Sequence, residues 1–89
     1  MPIICEFWGF KVYMYYQDHL PPHFHVRGRG THAVISLPDG ALLAGDLPSG
    51  IASHIAAWVQ ENAEALMENW RRARCKEPLL KVPSPKRGV

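Results

Sequence analysis

Apolar and polar residues alternate along much of the first half of the chain, and after residue 48 they change to a three- and four-residue recurrence. The first pattern is that of half-buried strands and the second that of a helix with one apolar face. Phe10 to Tyr16 (F-K-V-Y-M-Y-Y) is rich in aromatic and β-branched residues and predicts a strand. Asp18 to Pro22 predicts a turn, because each proline disfavours helical backbone at the residue before it. His23 to Arg27, Thr31 to Leu37 and the short Ala41 to Ala44 follow as strands, separated by Gly28-Arg29-Gly30 and Pro38-Asp39-Gly40. Ile51, Ile55, Trp58, Val59, Leu66 and Trp70 then fall at helical spacing, with Ser49 as the candidate N-cap. The helical segment runs to about Arg74, as one long helix or as two short ones divided at Asn62.

The expected fold class is therefore α+β: a small antiparallel meander of three to four strands packed on C-terminal helix. Side chains alternate across a strand, so the faces can be assigned. Val12, Met14, Tyr16, Phe24, Val26, Ala33, Ile35 and Leu37 should face the stripe of Ile51, Ile55, Trp58 and Leu66. Lys11, Tyr13, Tyr15, His23, His25, Arg27 and His32 should then share the opposite, open face. Trp8 is assigned to neither core nor interface by its position.

With 89 residues the chain has room for one domain and a small core. The expected division is a domain over 1–75 and a flexible, basic, proline-rich tail over 76–89. Charge follows the same division: residues 1–75 carry six basic and seven acidic side chains, whereas 76–89 carry four basic and one acidic. Basicity is a property of the tail, so the net charge of +2 is weak evidence for nucleic acid. Cys5 and Cys75 form neither a metal spacing nor a disulfide framework. The N-terminal apolar run is interrupted by Glu6 and has no basic region before it, so neither a signal peptide nor a membrane span is expected. A cytoplasmic location is the expectation.

The chemistry concentrates in Met14 to Val26, M-Y-Y-Q-D-H-L-P-P-H-F-H-V, where His19, His23 and His25 lie close to Asp18 and His32 follows beyond the glycine turn. Histidine titrates nearest neutrality and is the commonest metal ligand. His23 and His25, two apart on a strand, point the same way, and Asp18, His19 or His32 would complete a shell of nitrogen and oxygen for zinc or another divalent metal. His19, His23 and His25 are equally candidates for acid–base catalysis, with Arg27 as a phosphate contact. A third reading makes Lys11, Tyr13, Tyr15 and Arg27 a binding surface, with tyrosines for stacking and cations for RNA phosphates. Beside these stands a structural one, in which the histidines hydrogen-bond the backbone and Asp18 caps the Pro-Pro turn.

That D-H-x-P-P-H-F-H-V block, with A-L-L-A-G-D-L-P at residues 41–48 and the two helical tryptophans Trp58 and Trp70, resembles a bacterial domain-of-unknown-function family, number 4160, over roughly residues 2 to 75. The resemblance implies a small β-meander with helix, with Asp18, His19, Pro21, Pro22, His23, Phe24 and His25 as signature positions and Gly45 to Pro48 as a second block. It also implies a two-gene, toxin–antitoxin-like module acting through a small partner protein from a neighbouring gene; RNA is a further expected partner because of the Lys11, Tyr13, Tyr15 and Arg27 face and the basic tail. The alternative is a histidine-cluster metal-binding protein or a metal-assisted hydrolase or ribonuclease. The resemblance carries over no catalytic residue, and sequence leaves open whether the protein is an enzyme.

Overall fold

The computed structural model describes residues 3–85. Five strands precede two helices: β1 (Ile3–Phe7), β2 (Phe10–Tyr13), β3 (His23–Gly28), β4 (Thr31–Ser36), β5 (Leu42–Gly45), α1 (Ser49–Glu61) and α2 (Ala63–Arg74). The strands form one antiparallel sheet in chain order, so the α+β meander is as expected, with one strand more. The additional strand is β1. Its turn, Trp8-Gly9, has φ of 53° and 83°, the left-handed pair of a two-residue hairpin. Tryptophan seldom occupies such a position, and this hides the hairpin from a sequence reading. Trp8 lies edge-on to Phe7 at 5.1 Å and to His54 at 5.4 Å.

Phe24, Val26, Ile35, Leu37, Ile55, Trp58 and Leu66 are all buried, together with Ile4, Cys5, Phe7 and Phe10 from the first hairpin. Tyr16 is not: β2 ends at Tyr13, the chain leaves the sheet, and Tyr16 is exposed. The departing loop is held by Gln17 N–H, which donates to the Ala73 carbonyl at the end of α2.

The helical region is two helices. Asn62 breaks it with φ −121°, and its side-chain Nδ2 donates to the Trp58 carbonyl, closing α1 instead of capping α2. Ser49 is not the N-cap either; Pro48 holds that position, and its carbonyl accepts the first helical bond from Ala52 N–H. Gly45 ends β5 with φ +83°, and a Cβ there would collide with the His32 carbonyl. The Gly45-Asp46-Leu47-Pro48 block is thereby explained structurally: Thr31 Oγ1 donates to the Asp46 carbonyl and Leu47 enters the core.

The segment after α2 is tied down, contrary to the expectation of a loose tail from Pro78. Val82 is buried and its N–H donates to the Ile4 carbonyl, while Trp58 Nε1–H donates to the Pro83 carbonyl at 2.6 Å. Buried Asn69 pairs with both backbone groups of Leu80, donating from Nδ2 and accepting at Oδ1, each at 2.8 Å. The three prolines (Pro78, Pro83 and Pro85) and the basic residues predict solvated chain, but an amide on α2 replaces a strand partner for this segment. Lys86 and Arg87 of the expected basic tail lie outside the described residues. Asn69→Ala should cost about 2 kcal/mol by leaving two backbone groups without their bonds, read as a lower urea midpoint. An unchanged midpoint would mean that this segment is not anchored there. No helix among the described residues is long and apolar enough to cross a membrane.

Candidate metal centre

The site is built where β3 meets the loop from β2. Pro21 and Pro22 bring Asp18 back over the start of β3, and both proline carbonyls are used: Pro22 accepts from Leu37 N–H at 3.0 Å, and Pro21 accepts from His23 Nδ1–H at 2.7 Å. That second bond places the proton on His23 Nδ1 and turns Nε2 toward Asp18 Oδ2, 2.8 Å away. His25 Nε2 reaches the same carboxylate oxygen at 3.3 Å. One ligand atom each from Asp18, His23 and His25 lie within 4.8 Å of one another.

The three side chains are sheltered: His23 is 3% exposed, His25 12% and Asp18 14%. Trp70 closes one side, its ring 5.2 Å from that of His23, and Arg74 Nη1 donates to the Asp18 carbonyl at 3.0 Å. Neither α2 residue was among the sequence candidates. The sequence places Trp70 at helical spacing and Arg74 at the end of the helical segment, and only the tertiary fold brings them to the loop. Tyr13 stacks on His25 at 5.3 Å with the rings 11° from parallel.

Electrostatics favour an ionised carboxylate beside a neutral imidazole. Burial pushes the Asp18 carboxyl up, but the His19 amide and the ring donors of His25 and His23 outweigh it and hold it below the ordinary carboxylate value. Burial lowers His25, reinforced by the neighbouring His23 and His32 and opposed by Asp18. Because His25 is depressed in the fold, the unfolded chain takes up its proton first. Its contribution therefore declines as pH falls below the ordinary value of about 6.5. The urea midpoint of the parent should accordingly drop relative to His25→Gln between pH 7.5 and 5. Parallel curves would show that His25 is not depressed.

The other sequence candidates separate. His19 is 82% exposed, with Nε2 3.7 Å from Asp18 Oδ1, and lies at the rim. Its backbone N–H donates to that oxygen at 2.8 Å. His32 Nε2 lies 3.2 Å from His25 Nδ1, one step behind the trio as a partner of His25. Among the binding-surface residues, Lys11, Tyr15 and Arg27 are exposed, but Tyr13 is 1% exposed and offers no face for stacking. It is covered by His25, Tyr15 and the Arg27 guanidinium, whose carbon lies 5.7 Å from the ring centroid. The Tyr13 hydroxyl is buried and has no hydrogen-bond partner among the described residues. Tyr13→Phe should leave thermal stability unchanged or raise it by up to about 1–2 kcal/mol, since it removes an unsatisfied buried group. A clear loss would reveal a partner for that hydroxyl.

This arrangement can hold a divalent cation. In a tetrahedral shell with bonds of about 2.0–2.1 Å, ligand atoms stand ~3.4 Å apart, so the Asp18–His23 contact of 2.8 Å needs to open only slightly. The outer bonds already suit a metal: Nδ1–H of His23 is fixed by a carbonyl, and Nδ1 of His25 faces a second imidazole. Such partners orient ligating histidines and set their tautomers.

Residues 9–71 match the family model described as a domain of unknown function (DUF4160). No curated protein and no solved structure matches the chain.

Proposed function

This chain belongs to the DUF4160 family of domains of unknown function, and we propose that it is a divalent-metal-binding domain whose ion, zinc in the first instance, is held by Asp18, His23 and His25. The observation that carries this reading is the position of His23. Its Nδ1 faces the Pro21 carbonyl and its Nε2 faces the Asp18 carboxylate, an acceptor on each side of a buried ring. A proton on each nitrogen satisfies that geometry. So does a cation at Nε2, which then also serves Asp18 and His25. Two histidines and one carboxylate are ordinary zinc ligands, and a shell with three protein ligands leaves a position for water or substrate, as in catalytic zinc sites. The metal would supply a Lewis acid and an activated water. Zinc titrated into the chain should bind one ion per molecule by calorimetry and shift the His23 and His25 imidazole resonances together. A folded protein that gives no heat and no shift up to millimolar zinc would end this reading.

A second reading, a component of a two-gene toxin–antitoxin-like module, draws on the family and on one observation. β5 is an edge of the sheet, and Leu42 and Leu43 on it are exposed large apolar residues. An unpaired edge with apolar side chains suits strand addition by a partner protein. Co-expression with the neighbouring gene tests it: the partner should co-purify with the parent and not with a Leu42→Lys, Leu43→Lys variant. Failure of the parent to retain the partner would count against it.

A further inference from the structure

One step along the sheet from the proposed cation site lies a row of basic side chains. Lys11 on β2 is directly opposite Arg27 on β3, and Arg27 is directly opposite His32 on β4. Like charges facing each other across a sheet repel. Among the described residues no carboxylate lies within ion-pair distance of Lys11 or Arg27. Glu6, although opposite Lys11 on β1, is not paired with it either. Other arginines are differently engaged: Arg71 and Arg72 bind Glu68, and Arg74 is bonded to the Asp18 carbonyl. Lys11 and Arg27 thus stand beside the trio without a carboxylate partner among the described residues, as Arg29, Lys76 and Lys81 do elsewhere on the molecule.

The geometry joins the two features. Arg27 follows His25 by two residues on the same face of β3, a displacement of about 7 Å, within reach of an arginine side chain. Its guanidinium is held over Tyr13, whose ring stacks on the ligand His25. Beside Arg27 the β3–β4 turn opens a shallow cavity of about 310 Å³ lined by Arg27, Gly28, Gly30, Thr31 and His32. We infer that the cation site takes a phosphate ester, with one phosphoryl oxygen on the metal and the others on the Lys11–Arg27 pair. The inference rests on the proposed metal site for its first contact and on the cross-strand cations for its second. Arginine and lysine beside a divalent ion are the usual means of spreading phosphoryl charge, the guanidinium in a planar fork and the ammonium as a point charge.

The test uses phenyl phosphate, a monoester, and the dinucleotide UpU, a diester, each titrated into zinc-loaded protein. The Lys11 and Arg27 side-chain nitrogen resonances should shift with at least one probe. A Lys11→Ala, Arg27→Ala variant should bind that probe at least about tenfold more weakly while still taking up one zinc. Which probe binds more tightly assigns the ester class. If neither probe moves those resonances, or if the double variant binds both as the parent does, the inference is overturned and the metal site stands. If zinc itself does not bind, the metal reading fails by its own measurement. A probe that then binds to the cationic row alone overturns the shared contact proposed here.

Discussion

Asp18→Asn is expected to weaken zinc binding by more than roughly a hundredfold, because loss of an outer partner alone costs about 10–100-fold and Asp18 is itself a ligand in the proposed centre. The fold should survive the change. Asparagine is isosteric; its Oδ1 can still accept from His19 N–H, and its amide can donate to His23 Nε2, which carries a lone pair when Nδ1–H is committed to Pro21. The variant should therefore melt close to the parent in the absence of metal. Graded controls follow from the geometry. His32→Ala, removing the partner behind His25, should weaken zinc by about 10–100-fold. His19→Ala should leave the affinity essentially unchanged, because that ring stands at the exposed rim. A calorimetric series in which His19→Ala is as damaging as Asp18→Asn would assign the site to different residues.

The second large effect falls on the fold. Trp58 is 2% exposed, packs against Phe7 at 5.8 Å and Phe24 at 5.9 Å, and donates Nε1–H to the Pro83 carbonyl. It joins helix, sheet and C-terminal segment in one side chain. Trp58→Ala should cost about 3–5 kcal/mol, a large part of the ~5–15 kcal/mol that holds a small domain together. At about 4–8 °C per kcal/mol for a domain of this size, the melting temperature should fall by roughly 12–40 °C, or the chain should fail to fold. Trp58→Phe keeps the aromatic contact and loses only the indole donor and some volume, so a much smaller decrease is expected. A Trp58→Ala protein that melts within about 5 °C of the parent would contradict the placement of this residue at the centre of the core.

Much of the fold was legible because it is written in period. The apolar positions of β3, β4 and both helices, from Phe24 to Leu66, obey the two- and four-residue rules and are buried as those rules require. What escaped is what period does not encode. β1 is short, carries a bulge between Ile3 and Cys5, and ends in a turn with tryptophan at positive φ. The segment from Pro78 to Pro83 has the composition of a linker, but its backbone is bonded by the Asn69 and Trp58 side chains and the Ile4 carbonyl, all distant in sequence.

The site divides in the same way. That His23 and His25 share a face followed from alternation along β3, whereas Asp18, His19 and His32 were equal candidates to complete the shell, and only the fold brings Asp18 to the pair. That His19 stands outside and His32 behind depends on where the loop turns, which no spacing rule states. Tyr13 was assigned to the open face correctly by alternation, but alternation does not count the side chains lying on top of it. His25, Tyr15 and Arg27 bury it.

X-ray absorption at the zinc edge of the loaded protein tests the central claim most directly. The expected spectrum has a first shell of nitrogen and oxygen only, at about 2.0–2.2 Å, with the outer-shell scattering of two imidazoles. That scattering should fall to one imidazole in His25→Gln. A sulfur shell at about 2.3 Å, which the exposed Cys75 would supply, or an imidazole count unaffected by His25→Gln, would contradict a centre built from Asp18, His23 and His25.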